Sequence, residues 1–251
     1  MSEIESYRIP EIEKAGLKIQ RIMLGTSPFI GAAQFGSRAL YYYQNLFLKP
    51  ENITKIIIKA FEKGVYTVQA IAHRVIIEAL KAAEDWIGTK ISVIGTIPAD
   101  EEEEGLKLLS EINAKAALIH GSITDRLGLD ELKEYVNKIE DTGLIAGIAT
   151  HNSYSTLPRI LDADLKIKMI MLSVNKKGYM MKDERFLLDL IANTDKIIIA
   201  KKVFAAGTIP PQEALSYIFS LKEVDCAALG IANEKEAEET FSICQKLIKG
   251  L

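Results

Sequence analysis

The three histidines of the chain, His73, His120 and His151, are its first candidates for chemistry, because each one ends or closely follows a short apolar run. Imidazole changes its charge near neutral pH and is the commonest side-chain ligand of metals. If the three rings converge, they supply the ligand number of a hydrolytic metal site with an open position. In the structural alternative, each ring caps a strand end or bonds a backbone carbonyl and does no chemistry.

Two adjacent lysines, Lys201 and Lys202, close another apolar run. Side chains alternate between the two faces of a strand, so strand parity sends only one of the two lysines inward. Lys202 shares its face with the small Ala200, whereas Lys201 shares its face with Ile199. A crowded interior favours small neighbours, and we therefore expect Lys202 to be the inward lysine. There it could bind a phosphate or form a Schiff base, unless it only makes a local salt bridge.

Gly230 ends an apolar run, and the residues after it begin an amphipathic stretch, as at a strand that leads into a helix. Free backbone N–H groups at Gly230, Ala232 and Asn233 therefore mark a place for an anionic group, such as the phosphate of a dinucleotide. Glu234 and Glu236 fall in the first turn of the predicted helix, where they suit the helix dipole but would repel a phosphate.

The elements that must position these residues alternate between β-branched apolar runs and amphipathic stretches of helical period. Such alternation is typical of parallel βα units. The predicted strands are residues 19–26, 66–70, 90–97, 114–120, 144–150, 168–174, 196–202 and 226–230. The predicted helices are residues 52–63, 73–86, 101–112, 129–141, 153–161, 182–192, 211–221 and 233–249.

Eight βα units in 251 residues predict an α/β fold, a single-domain (β/α)8 TIM barrel, with the histidines at the strand ends where such barrels carry their active sites. A doubly wound open sheet is the alternative, but the glycines from Gly25 to Gly36 lack the GxGxxG spacing of a dinucleotide fingerprint. Residues 28–50 form an unusually long connection after the first strand. Its aromatic side chains could wall a pocket or pack on one another.

The composition limits the partners and the location. A net charge of −3, with Lys and Arg spread along the chain, offers no basic tract for nucleic acid. The charged N-terminus, broken by Pro10, is typical of neither a signal peptide nor a membrane span, so we expect a cytoplasmic protein with a small-molecule ligand. Cys226 and Cys244 are expected to be buried thiols. Abundant Lys, Glu and Ile suggest a thermophilic source, and the oligomeric state stays open.

Several strings, in order along nearly the whole chain, resemble the aldo-keto reductases, and more closely the divergent archaeal and bacterial members. Residues 23–31 (MLGTSPFIG) are similar to the LGTxxFGG segment of that family, and residues 60–70 (AFEKGVYTVQA) to its AxExGxNxxDTA segment. The remaining similar strings are ALIHG at 117–121, GIATHNS at 147–153, MLSVN at 171–175 and the segments 199–220 and 224–241.

In that family a Tyr protonates the substrate carbonyl, an Asp and a Lys adjust the pKa of the Tyr, a His orients the carbonyl, and NADPH delivers hydride. The resemblance places the Asp position on Gln69, the Tyr position near His73 and Arg74, and the Lys position near Thr96. Only the His position keeps its residue, as His120. This degenerate tetrad implies either that an altered acid supports reduction of a small carbonyl compound or that reductase activity has been lost.

The resemblance also implies that NADP or NAD binds at the barrel mouth. The residues expected at the cofactor are His151, Asn152, Asn175, Lys202, Gly230, Ala232 and Asn233. His120 should project into the mouth, with Gln69, Thr96, His151, Asn175 and Lys202 as neighbours. A metal-dependent or Schiff-base lyase or hydrolase, and a non-catalytic barrel that binds a small ligand, are the alternatives.

Overall fold

The computed structural model of the chain describes residues 8–249. Eight parallel strands form a closed barrel, in which each strand pairs with the next and the last pairs with the first. A hairpin of β1 (Glu11–Lys14) and β2 (Leu17–Gln20) precedes the barrel. The barrel strands are β3 (Ile22–Gly25), β4 (Thr67–Ile71), β5 (Ser92–Thr96), β6 (Ala116–Ile119), β7 (Ile145–Ala149), β8 (Met169–Ser173), β9 (Ile197–Lys201) and β10 (Cys226–Gly230). The predicted (β/α)8 TIM barrel in a single domain is confirmed.

All eight predicted helices are present around the barrel, together with two short ones that the sequence did not suggest. The short helices are α1 (Arg38–Tyr42) and α5 (Gly121–Arg126). The others are α2 (Pro50–Glu62), α3 (Arg74–Ile87), α4 (Glu102–Glu111), α6 (Leu129–Asp141), α7 (Ser153–Leu161), α8 (Glu184–Ile191), α9 (Pro211–Ser220) and α10 (Glu234–Lys249). Their apolar faces pack on the outside of the barrel.

The prediction of one strand over residues 19–26 is wrong in its first part. Ile19 belongs to the hairpin, and the first barrel strand starts only at Ile22. Ile19 is fully buried against the inward side chains of the barrel, so the hairpin closes the N-terminal end of the barrel. Gln20 fixes this closure, because its Nε2 donates to the carbonyl oxygen of Gly64 at 2.9 Å.

The barrel interior combines large and small side chains from the facing strands. Close backbone approach at the closure of the barrel favours glycine: a Cβ at Gly25 would lie 3.2 Å from the carbonyl carbon of Leu229, closer than a usual contact. The larger inward side chains include Met23, Ile94, Leu118, Met169, Met171, Ile197 and Ile199, and the smaller ones are Ala116, Ala149 and Ala228.

The connection after β3, predicted as a long loop, is mostly helical in short pieces. A 3-10 turn at Ser27–Ile30 and another at Ala33–Phe35 lead into α1, which continues as a π-helical turn at Tyr43–Phe47. The ring of Phe35 packs edge-on against that of Tyr42 with centroids 5.2 Å apart. The aromatic residues of this segment thus pack on one another, and Phe35 and Tyr42 also face the cavity described below.

Cys226 and Cys244 are buried free thiols, as expected, and burial raises the pKa of both. Within residues 8–249, no helix has the length and apolar character needed to cross a bilayer. The first seven residues, which belong to the N-terminal segment judged unlike a signal peptide, lie outside the described residues.

Candidate active site

A cavity of about 780 Å³ opens at the C-terminal ends of the barrel strands. This volume falls within the range of roughly 300–1,000 Å³ that is usual for small-molecule sites. The predicted site residues on its lining are Gln69, Thr96, His120, His151, Lys202, Gly230 and Ala232. Phe35 and Tyr42, two of the aromatic residues expected either to wall a pocket or to pack on one another, also line it. Lys201, Gln34 and Arg38 line it too, and the sequence had not assigned these three to the site.

Gln69 and Thr96 form a neutral pair on the lining, at the ends of β4 and β5. The Gln69 Nε2 donates to the Thr96 Oγ1 at 2.8 Å, and both residues are buried. The neighbouring register of the two strands brings these side chains together. Where the resemblance places a carboxylate and an ammonium group, this chain therefore has an uncharged hydrogen-bonded pair.

His120 follows β6 and caps the short helix α5. Its Nδ1 accepts a hydrogen bond from the backbone N–H of Ser122 at 3.2 Å and lies 2.7 Å from the Ser122 hydroxyl. Since Nδ1 is an acceptor, the neutral ring carries its proton on Nε2. Burial, followed by the charge of Lys201, lowers the pKa of His120, so the ring is neutral at pH 7.

His151 lies beside His120, with the ring centroids 5.3 Å apart. The absence of a side chain at Gly121 allows this approach, because a Cβ there would lie 2.8 Å from the His151 Cδ2. The His151 Nδ1 is 3.0 Å from the Nζ of Lys201. Burial, together with the charges of Lys201 and Lys202, lowers the pKa of His151 to about 3.

Lys201 is the inward lysine of β9, and the prediction that Lys202 takes this role is wrong. Ile197 and Ile199 point into the barrel interior, and Lys201 continues their face to the mouth. Burial and the neighbouring charge of Lys202 lower the pKa of Lys201 to about 7, although Asp125 acts in the opposite direction.

Lys202 reaches the same cavity by a different route. It follows the end of β9 in a left-handed backbone conformation, with φ of 56°, and this conformation releases it from the strict alternation of the strand. Its Nζ contacts the Oε1 of Gln34 in the segment after β3. Burial lowers the pKa of Lys202 to about 8.

Asp125 orders the loop that carries His151. The Oδ1 accepts from the hydroxyls of Thr150 (2.5 Å) and Thr156 (2.8 Å). The Oδ2 accepts from the backbone N–H groups of His151 (2.8 Å) and Asn152 (3.1 Å). The sequence did not reveal this residue, because its partners lie 25 to 31 positions away and form no local motif with it.

The predicted anion site at the start of α10 is already occupied by a side chain. The backbone N–H of Ala232 and the Nδ2 of Asn233 donate to the carboxylate of Glu236, at 2.8 and 2.9 Å. Asn233 lies in a neighbouring cavity of about 230 Å³ rather than in the main one. Gly230 and Ala232 do line the main cavity, but the expected free N–H group at Ala232 is not available to a phosphate while Glu236 stays in place.

The two other predicted asparagines shape loops outside the cavity lining. Asn175 is buried, its Nδ2 donates to the carbonyl oxygen of Tyr179, and its Oδ1 accepts from the N–H of the same residue. Asn152 accepts from the Ser155 hydroxyl at the start of α7. Neither residue lines the cavity, so the expectation that Asn175 neighbours His120 in the mouth is wrong.

His73 and Arg74 also lie outside the cavity lining. The Nδ1 of His73 is 3.3 Å from Glu101, and its ring packs against Phe47. Arg74 pairs with Glu104 on the surface. Among the described residues, no group of three or more His, Cys, Asp or Glu side chains is arranged to hold a metal ion, so the three histidines do not converge as the metal alternative requires.

No protein-family model and no curated protein matches the sequence. Among solved structures, the chain is similar to a protein of Pseudomonas aeruginosa assigned to the aldo-keto reductases, with a TM-score of 0.69, 18% identity and coverage of 96% of each chain. It is also similar to an aldo-keto reductase of Brucella melitensis (TM-score 0.65, 13% identity, coverage 94% and 93%). A third is an aldo-keto reductase of Klebsiella pneumoniae in complex with NADP and acetate (TM-score 0.65, 11% identity, coverage 94% and 89%). At these identities the likeness shows a shared fold.

Proposed function

We propose that this barrel is an oxidoreductase of the aldo-keto reductase type, which uses NADP or NAD to reduce a small carbonyl compound at its C-terminal mouth. The observation that carries the proposal is the wall formed by His120, His151 and Lys201. Lys201 Nζ lies 3.0 Å from His151 Nδ1, and the His151 ring lies 5.3 Å from that of His120. This wall supplies a hydrogen-bond donor and a proton source in a barrel similar in fold to aldo-keto reductases.

The cavity fits the nicotinamide end of such a cofactor together with a small substrate. Its volume of about 780 Å³ is sufficient for both. Phe35 and Tyr42 present aromatic surface to the cavity, which suits a flat ring. A bound reduced nicotinamide supplies hydride to the carbonyl carbon.

Lys201 is the proton donor in this proposal. Hydride addition leaves an alkoxide oxygen, which must take up one proton. With a pKa of about 7, the Lys201 ammonium is a stronger acid than an ordinary lysine and is still half protonated at neutral pH. His151, with a pKa of about 3, is neutral and accepts from the Lys201 ammonium, which orients it.

His120 orients the carbonyl. Its Nδ1 is engaged with Ser122, so its Nε2–H is the donor that remains for the substrate oxygen. A neutral imidazole donor polarises the carbonyl without giving up its proton. The neutral pair of Gln69 and Thr96 has no acidic group that could protonate the substrate oxygen, so in this proposal the proton comes from Lys201.

The first test is titration with NADPH and NADH, followed by nicotinamide fluorescence, and then single-turnover oxidation of NADPH with small aldehydes and ketones. Lys201→Met should bind the cofactor normally but oxidise it at least about 100-fold more slowly, the usual contribution of a general acid. Lys235→Met, on the exposed face of α10, is the matched control. No binding at millimolar cofactor would refute the proposal. A native rate in Lys201→Met would refute the role of Lys201.

A further inference from the structure

Two segments of the chain meet along one edge of the cavity, and each contributes a cation there. The segment 27–47 carries Arg38, and the loop 202–207 begins with Lys202. Each cation donates a hydrogen bond to the other segment: Lys202 Nζ donates to Gln34 Oε1, and Arg38 Nη2 donates to the carbonyl oxygen of Ala206. We call the pair of cations, Lys202 and Arg38, the cationic seam.

Within residues 8–249, no carboxylate forms an ion pair with the cationic seam. Both contacts across it are to neutral oxygen atoms, and among the described residues neither cation forms an ion pair. Glu236 is the single carboxylate among the described residues that line the cavity, and it is committed to Ala232 and Asn233. The cavity edge therefore carries positive charge without a protein counterion.

Lys202 is partly buried, and an unpaired charge there is costly, so an anionic ligand recovers part of this cost, whereas Arg38 is exposed. Burial lowers the pKa of Lys202 to about 8, because the charged ammonium is less well solvated at this wall than in water. The planar guanidinium of Arg38 suits the paired oxygens of a carboxylate or phosphate. Lys201 adds a further cation on the same lining.

We infer that the cationic seam binds the carboxylate or phosphate group of a small ligand. Resting on the proposed function, this names the substrate class: a carbonyl compound that also carries an anionic group. The seam holds the anionic end of the substrate, while Lys201 and His120 meet its carbonyl oxygen. Two attachment points orient a small molecule for reaction better than one.

The binding test uses inorganic phosphate and acetate, in the absence of any cofactor, by isothermal titration calorimetry at low ionic strength. We expect millimolar binding at pH 7 that weakens above pH 8, because Lys202 then loses its proton. Lys202→Met and Arg38→Met should each weaken binding about tenfold or more, whereas Lys235→Met should leave it unchanged. Equal affinity in Lys202→Met and Lys235→Met, or no binding at tens of millimolar anion, overturns the inference.

A second experiment separates a substrate anion from a cofactor phosphate. If phosphate still binds with unchanged affinity in the presence of saturating NADPH, the cationic seam is free to bind the anionic group of the substrate. If NADPH displaces phosphate competitively, the seam serves the cofactor, and the substrate assignment is overturned. Neither the phosphate nor the acetate titration requires turnover, so they remain decisive even if no carbonyl compound is reduced.

A matched substrate pair tests the substrate class through catalysis. Succinic semialdehyde and butanal have the same carbon chain and differ in the carboxylate. The native protein should favour the carboxylated aldehyde in kcat/KM by about tenfold or more. Lys202→Met should bring the ratio of the two kcat/KM values close to one, whereas Lys235→Met should keep the native ratio. Equal kcat/KM for the two aldehydes in the native protein overturns the assignment. Loss of turnover with both aldehydes in the native protein would instead count against the proposed reduction.

Discussion

Replacement of the buried Lys201 by methionine should make the protein more stable at neutral pH while it abolishes the proposed proton transfer. The folded environment lowers the pKa of Lys201 from its ordinary value of 10.5 to about 7. Each unit of pKa corresponds to about 1.4 kcal/mol, so keeping this ammonium in the folded protein costs roughly 4 kcal/mol at pH 7. Methionine loses the hydrogen bond to His151, worth about 1 kcal/mol, so the net gain is roughly 3 kcal/mol.

The pH dependence gives this prediction its sharpest form. Between pH 7 and 10.5 the unfolded chain keeps the Lys201 proton and the folded protein does not, so stability must rise with pH in that window. The slope is about 1.4 kcal/mol per pH unit from this one group, and Lys201→Met should lose it. Urea unfolding at pH 7, 8 and 9 measures the slope, with Lys235→Met as the control. A Lys201→Met protein that is less stable at pH 7, or that keeps the native slope, would refute the reasoning.

Two further substitutions test the histidine wall. His120→Ala should weaken turnover or ligand binding at least about tenfold but lower the unfolding free energy by only about 1 kcal/mol, the usual effect of losing a helix cap; a melting temperature lowered by many degrees with unchanged binding would assign His120 to the structure instead. Gly121→Ala should displace the His151 ring, since the new methyl group would lie 2.8 Å from its Cδ2, and should slow turnover about tenfold in a stopped-flow assay. Native kinetics in Gly121→Ala would show that the packing of the two rings is not required.

The sequence predicted the barrel well because βα alternation is local: each strand and helix leaves its own periodicity. The predictions from the sequence were wrong where the position of a side chain depends on residues far apart along the chain. Lys201 points inward because it continues the face of Ile197 and Ile199, which pack in the barrel interior. Which face of β9 turns inward depends on the side chains of the other strands, and the parity of β9 alone does not contain that information. Likewise, Glu236 folds back onto Ala232, which turns a predicted phosphate site into an ordinary helix start.

The hairpin was missed for a related reason. Residues 19–26 were predicted as one strand, and the polar step at Gln20 and Arg21 is too short a signal to mark the bend between the hairpin and the barrel. The role of Gln20 at the base of the barrel depends on the backbone of Gly64, far along the chain. His120, by contrast, was placed correctly on the cavity wall, because a strand end in a barrel has one predictable position.

Asp125 both holds the loop of His151 in place and affects the pKa of Lys201. Its carboxylate accepts four hydrogen bonds that hold the loop of His151, and its charge raises the pKa of Lys201 against the effects of burial and Lys202. Without that charge, the pKa of Lys201 would be lower, and a smaller fraction of Lys201 would be protonated at pH 7.

Asp125→Asn tests this link, because asparagine keeps an oxygen for the backbone donors but removes the charge. The rate of NADPH oxidation, limited by protonated Lys201, should fall at pH 7, and its alkaline limb should move to lower pH. The measurement is the pH profile of single-turnover reduction, with urea unfolding alongside it. A native pH profile combined with lower stability would limit Asp125 to holding the loop, whereas a shifted limb would show that one carboxylate both orients His151 and keeps the neighbouring lysine charged enough to act as an acid.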